Sequence, residues 1–116
     1  MLSYLYGRYR LHIITNGFAG VQAKKLFNSK IDRFFSTVTS SEEAGVKKPH
    51  PMIFEQALDK ARTTAVRAVM IGDTFEADIK GAQAVGMHTV FFNYHKEVVS
   101  NEYTVIHQLE ELRELL

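Results

Sequence analysis

A chain of 116 residues with 46% hydrophobic and 23% charged residues has the composition of a globular protein, and we expect residues 1–116 to form a single domain. The formal net charge is +1, and the chain has neither a run of like charges nor an apolar run of the ~20 residues that span a bilayer, so nothing indicates a nucleic-acid or membrane partner. The absence of cysteine excludes disulfides, thiolate metal sites and cysteine nucleophiles, and it agrees with the cytoplasmic location that we expect.

Short apolar runs alternate with longer amphipathic runs along the chain. The first residues have the character of a helix that leads into a strand. Runs rich in β-branched and aromatic residues predict buried strands over residues 11–15, 34–38, 65–71 and 88–92. Helical spacing of apolar residues predicts helices over residues 19–28, 52–61, 75–86 and 106–116, and the polar stretch 96–104 is predicted as a loop. This alternation predicts an α/β fold with a parallel sheet that is covered by helices on both faces.

Polar residues follow the predicted strands at their carboxyl ends, which is where open parallel α/β sheets bind ligands. Thr15, Asn16 and Gly17 follow the first strand. A hydroxyl and free backbone N–H groups at such a position can bind an anion. The alternative is that Asn16 and Gly17 only make the turn into the next helix, and from this tripeptide alone that alternative is favoured.

Lys48 precedes Pro49 and is therefore biased towards an extended backbone. A lysine held in this way could reach across the edge of the sheet and place its positive charge beside a phosphate. The alternative is an exposed loop lysine, which is the commoner situation for an isolated Lys-Pro pair.

Two carboxylates mark the third strand end, since Asp73 follows Gly72 and Asp78 lies in the first turn of the next helix. Gly72 allows a sharp turn after the strand. Two close carboxylates repel each other unless a cation lies near them, and Mg²⁺ is the natural candidate. The alternative, a helix N-cap with favourable first-turn charges, explains the same residue types equally well.

Taken together and in order, these motifs resemble those of the haloacid dehalogenase-like hydrolase superfamily, and the likeness is greatest to its capped, nucleotidase-like phosphatases. The resemblance is carried by residues 13–18, 45–54 and 70–78. It implies a Rossmann-like core and a Mg²⁺-dependent phosphatase that acts on a small phosphorylated metabolite through a phospho-aspartyl intermediate. It also implies roles for the candidate residues: phosphate binding by Thr15, Asn16, Gly17 and Lys48, charge neutralisation in catalysis by Lys48, and metal binding by Asp73 and Asp78.

The sequence departs from that family pattern, because it contains no Asp-x-Asp motif to supply the nucleophile. The resemblance implies that the cap and the central, nucleophile-bearing strand are missing as well. We therefore expect the C-terminal core of a phosphohydrolase that is inactive alone and binds Mg²⁺ weakly or not at all. The alternative is a degenerate, non-catalytic domain that acts as an interaction module. Removing the central strand would leave two halves of two strands each, and we expect these halves to pair directly or to associate with a neighbouring chain through their exposed edges.

Overall fold

A computed structural model describes residues 1–17 and 32–116 of the chain, so the helix predicted over residues 19–28 lies outside the described residues. Over residues 35–92, strands and helices alternate as predicted. In chain order the elements are α1 (Leu2–Tyr6), β1 (Leu11–Thr15), β2 (Phe35–Ser40), α2 (Ser41–Ala44), α3 (Pro51–Ala61), β3 (Val69–Gly72), α4 (Gly81–Ala84), β4 (His88–Phe92), β5 (Val105–Ile106) and α5 (Leu112–Leu115). The 3₁₀ turns span Asp32–Phe34, Ala65–Arg67 and Leu109–Glu111, and a π-helical segment, Phe75–Lys80, runs directly into α4.

The strands form two parallel sheets, which confirms the predicted α/β class. β1 pairs with β2, and β3 pairs with β4, which in turn pairs with β5. The second half therefore has three strands, and the expectation of two strands is wrong because Ile106, the first residue of the predicted helix 106–116, pairs with β4 instead. Within the described residues no ladder joins β1 to β3, so direct pairing of the two halves is not observed.

Two predicted strands have different bounds in the structure. β2 continues to Ser40 because Thr39 and Ser40 pair with Ile14 and Thr15 of β1. Phe34 instead belongs to the preceding turn, where its ring meets that of Tyr6 edge to face. The strand predicted over residues 65–71 begins only at Val69, where pairing with β4 begins. The three residues Ala65–Arg67 form a 3₁₀ turn instead.

Helix α3 connects the two sheets. It begins where His50 Nδ1 accepts a hydrogen bond from the Met52 N–H at 3.1 Å, with Pro51 in the first turn, and so confirms the predicted helix. Its buried face includes Ile53 and Phe54, and full burial of a side chain of this size stabilises a fold by roughly 1.5–3 kcal/mol. This face packs against apolar residues of both sheets, namely Ile14 of β1 and Met70 of β3.

A second apolar cluster lies on the other side of the larger sheet, where Leu5 of α1 packs with Val90, Ile106 and Leu112. The helix predicted over residues 106–116 was therefore wrong at its start, because Ile106 belongs to β5 and pairs with Phe92. Helical geometry begins with the 3₁₀ turn Leu109–Glu111. The Glu111 carboxylate caps this turn by accepting hydrogen bonds from the N–H groups of residues 107 and 108. Among the residues that the structure describes, no helix combines the length and apolarity that crossing a membrane requires.

Candidate phosphoryl site at the strand ends

The candidate site lies at the carboxyl ends of β1 and β3, with contributions from the loop before α3 and from the π-helical segment. The predicted site residues in this region are Thr15, Asn16, Gly17, Lys48, Asp73 and Asp78. Hydrogen bonds bring Asn16, Lys48 and Asp78 together. The side-chain hydrogen bonds described for Thr15 and Asp73 are local, to Gly17 and Thr74.

Lys48 is the centre of these contacts. Its Nζ donates to Asp78 Oδ1 at 2.7 Å and to the backbone oxygen of Ile14 at 3.2 Å. The two charged side chains are only 13% and 6% exposed, so water weakens their attraction little. Each charged group in such a buried pair needs the other as its partner, because burying an unpaired charge costs free energy. The interpretation of Lys48 as an exposed loop lysine is therefore wrong for this structure.

The backbone of Lys48 is held by Asn16. Asn16 Oδ1 accepts from the Lys48 N–H at 2.8 Å, and Asn16 Nδ2 donates to the Lys48 carbonyl at 3.4 Å. Beside it, Thr15 Oγ1 accepts from the Gly17 N–H at 3.1 Å, so the turn at the end of β1 includes the hydroxyl itself. A hydroxyl that accepts one bond still has its own proton to donate to an anion.

Asp78 is buried against the end of β3, with 4% of its surface exposed. Its Oδ2 accepts from the Thr74 N–H at 3.1 Å, while Oδ1 accepts from Lys48. A Cβ added at Gly72 would lie within 2.6 Å of three Asp78 side-chain atoms, so only glycine lets the carboxylate approach the strand this closely. The sequence predicts Gly72 for the sharp turn that it allows after the strand, and in the structure Gly72 is needed for the close contact with Asp78.

Asp73 is an exposed carboxylate at the tip of β3, and its Oδ1 accepts from the Thr74 hydroxyl at 3.3 Å. A hard cation such as Mg²⁺ takes oxygen ligands, and this side chain fits that requirement. Asp78 would have to give up Lys48 or the Thr74 N–H to become a direct ligand. Across residues 1–17 and 32–116, no three metal-binding side chains are grouped closely enough to hold an ion by themselves.

Three contributors to the site are not predicted from the sequence. The Ile14 carbonyl and the Thr74 N–H are backbone groups, and no side-chain pattern reports where such groups point. Gly81 is a third, since a Cβ there would lie 2.6 Å from the Phe54 ring and 3.0 Å from Pro49 Cα. Its small size allows the loop that carries Lys48 to lie directly on the helix that follows Asp78.

These features define an α/β protein with a buried lysine–carboxylate pair and an open carboxylate at the carboxyl ends of its parallel strands. The model of the family described as haloacid dehalogenase-like hydrolase matches residues 1–92. The chain belongs to this family. The resemblance that the three sequence motifs predicted is therefore confirmed.

Curated relatives include phosphatases. The chain is 41% identical over 114 residues to the glyceraldehyde 3-phosphate phosphatase of Pyrococcus furiosus, with 93% of this chain and 48% of the relative covered. It is 36% identical over 119 residues to the pyrimidine 5'-nucleotidase YjjG of Escherichia coli, with 97% and 53% covered. The chain thus spans about half the length of these relatives.

Solved structures of related proteins have the same fold as this chain. The HAD phosphatase from Thermococcus onnurineus matches with a TM-score of 0.92 and 31% identity, covering 98% of this chain and 54% of that one. The HAD-hydrolase YfnB from Bacillus subtilis, in a structure bound to magnesium, matches with a TM-score of 0.89 and 33% identity, covering 99% and 51%. Both similarities extend over almost the whole of this chain and about half of the other protein.

Proposed function

We propose that the chain is the C-terminal part of a Mg²⁺-dependent phosphohydrolase that acts on a small phosphorylated metabolite. The observation that carries this proposal is the buried Lys48–Asp78 pair at the carboxyl end of the strands, with 2.7 Å between Nζ and Oδ1. An ammonium held in this way is a fixed positive charge, and fixed charges are the main means by which proteins stabilise a transferring phosphoryl group. The phosphatase names of the relatives support the same reaction class.

Each candidate residue has a part in this proposal. The Thr15 hydroxyl and the backbone N–H of Asn16 would bind the phosphoryl oxygens, because they lie at the end of β1, and the Gly17 N–H would join them by exchanging its bond to Thr15 Oγ1 for one to the anion. Lys48 would neutralise the charge of the phosphate and the nucleophile. Asp73 would hold Mg²⁺, with Asp78 as a further ligand or as the group that orients its waters, and the ion would supply charge neutralisation at the phosphoryl oxygens.

In this proposal the reaction passes through a phospho-aspartyl intermediate, as the family resemblance implies. The sequence contains no Asp-x-Asp motif, so the nucleophile would come from outside these residues. We therefore propose that the chain alone is almost inactive. Hydrolysis of p-nitrophenyl phosphate by the purified chain tests this directly. Steady Mg²⁺-dependent turnover that Asp73→Asn abolishes would show that the chain is a complete enzyme. A cytoplasmic location and a single domain over residues 1–116 stay predictions.

A second candidate function is that of an interaction module that associates through its sheet edges. It is favoured by β1, none of whose five residues is fully buried, and by the lack of a ladder between β1 and β3 in the described residues. Exposed edges of this kind pair readily with another chain. Multi-angle light scattering across a concentration series tests the idea, and a strict monomer at every concentration would exclude self-association.

A further inference from the structure

The sequence predicts Asn16 as part of the phosphate-binding segment, but the structure gives its side chain another partner. We propose that Asn16 is a positioning residue, which acts on the reaction by holding Lys48 rather than by binding the anion with its side chain. This inference rests on the proposed function, because it assigns Asn16 a part in the same site.

The two hydrogen bonds of the Asn16 amide carry the inference. Oδ1 accepts from the Lys48 N–H at 2.8 Å, and Nδ2 donates to the Lys48 carbonyl at 3.4 Å. A primary amide that satisfies both backbone groups of one residue fixes the orientation of that residue. Asn16 is itself well placed to do so, since it directly follows Thr15, which pairs with Ser40 in the ladder.

The end of β1 therefore holds Lys48 at two points. Asn16 binds the backbone of Lys48, and two residues earlier the Ile14 carbonyl accepts from Lys48 Nζ at 3.2 Å. The long side chain that connects these points loses much rotamer freedom when its head group is fixed. With its backbone already fixed, the lysine loses less freedom in reaching Asp78. Removal of the Asn16 amide should therefore loosen the ammonium, although Asn16 makes no hydrogen bond to Nζ.

The first test measures access to the Lys48 ammonium without any phosphate ligand. Reductive methylation with formaldehyde, read by mass spectrometry, gives the labelling rate of Lys48 relative to its exposed neighbour Lys47. In Asn16→Ala we expect this ratio to rise roughly fivefold, the factor that corresponds to one net hydrogen bond. Asn101→Ala, a change in an exposed loop, should leave the ratio unchanged, and Asp78→Asn should raise it. An unchanged ratio in Asn16→Ala would overturn the proposal.

Lys60 reports whether Asn16→Ala has unfolded. Its Nζ donates to the Val38 carbonyl, so its labelling rises when the fold is lost and stays constant when only Lys48 loosens. Asn16→Asp provides a second variant, because it keeps the acceptor for the Lys48 N–H and loses the Nδ2 donor. We expect an intermediate Lys48 ratio for Asn16→Asp. If Asn16→Ala unfolds, a wild-type ratio in a folded Asn16→Asp variant would overturn the proposal.

The second test is a double-mutant cycle with inorganic phosphate as the probe, measured by calorimetry. If Asn16 acts through Lys48, Asn16→Ala should weaken phosphate binding when Lys48 is present. In the Lys48→Met background the same substitution should have no further effect on phosphate binding. An equal loss in both backgrounds would mean that the Asn16 side chain contacts the anion itself, and would overturn the proposal. If the wild-type chain binds no phosphate, the proposed function fails for this chain, and the labelling ratio still decides the role of Asn16.

Discussion

Lys48 and Asp78 are 30 positions apart in the chain, yet their Nζ and Oδ1 atoms lie 2.7 Å apart across the gap between the two sheets. Lys48 is attached to the β1 side through Asn16 and Ile14, and Asp78 is attached to the β3 side through Thr74. The pair therefore joins the two halves of the molecule as well as forming the centre of the candidate site. Its removal should affect both the stability and the proposed chemistry.

Breaking the pair from either side should destabilise the protein. Lys48→Met or Asp78→Asn leaves the other group buried without its partner, and we expect the free energy of unfolding to fall by about 3–5 kcal/mol. Urea unfolding followed by circular dichroism measures the change. Lys47→Met is the matched control, since Lys47 is exposed and its replacement should change the stability by less than about 0.5 kcal/mol. Equal effects at the two lysines would show that the pair contributes nothing.

Gly72→Ala should displace the Asp78 carboxylate from the end of β3. The new Cβ would lie 2.4 Å from Asp78 Oδ2, and overpacking of this kind costs about 1–3 kcal/mol. Gly7→Ala is the control, because the nearest atom to a Cβ there is 3.9 Å away. Urea unfolding should show a loss of stability for the first variant and little change for the second. A Gly72→Ala variant as stable as the wild type would contradict the close contact.

Mg²⁺ should bind this chain only weakly, and through Asp73. Both oxygens of Asp78 already have partners, so one open carboxylate is left for the ion among the predicted ligands. Titration calorimetry should give an affinity weaker than micromolar, and Asp73→Asn should abolish the binding that is seen. Glu76→Gln, which removes an exposed carboxylate three residues away, should leave the titration unchanged. Tight binding, or binding that survives Asp73→Asn, would contradict this assignment.

His12 should make the stability depend on pH. Burial lowers the pKa of His12 below its ordinary value of 6.5, and the charge of Arg10 lowers it further. The fold thus favours the neutral ring, whose Nδ1 lies 2.8 Å from Thr37 Oγ1. The unfolded chain then binds the proton more readily, so this contribution is fully present above pH 6.5 and is lost as the pH falls through the lowered pKa.

The stability difference between the wild type and His12→Gln measures this contribution. It should decrease as the pH is lowered from neutral towards about 5, where histidines charge. An NMR titration of His12 should in turn give a pKa below 6.5. A pKa at or above that value would contradict the prediction.

The sequence predicts β1 and β4 with their observed bounds, because each is a compact β-branched run that ends at a clear polar residue, Asn16 or Asn93. It fails at Ile106, since apolar residues spaced along 106–116 fit a helix as well as a short strand followed by turns. Which applies depends on whether β4 offers a partner edge, and it does so to Val105 and Ile106. That information is not local to the segment.

In the candidate site too, features set by the local sequence are predicted and contacts with distant residues are not. Thr15, Lys48, Asp73 and Asp78 can each be picked out by residue type and by position at a strand end. The sequence does not predict that Lys48 and Asp78 bind each other, because the pattern assigns Lys48 to a phosphate and Asp78 to a metal ion. The role of the Asn16 side chain is equally inaccessible, since its partner lies 32 residues away along the chain.

Each sheet is formed from one continuous stretch of the chain, with α3 between the two stretches. During synthesis from the N-terminus, β1 and β2 are available to pair before β3 leaves the ribosome, which suits folding in successive units. Helix α1 is the exception, because Leu5 packs against Leu112 and the Tyr4 hydroxyl donates to the Arg113 carbonyl at 3.3 Å. Among the described elements, α1 therefore depends on residues more than 100 positions later in the chain, and it can pack fully only after α5 has formed.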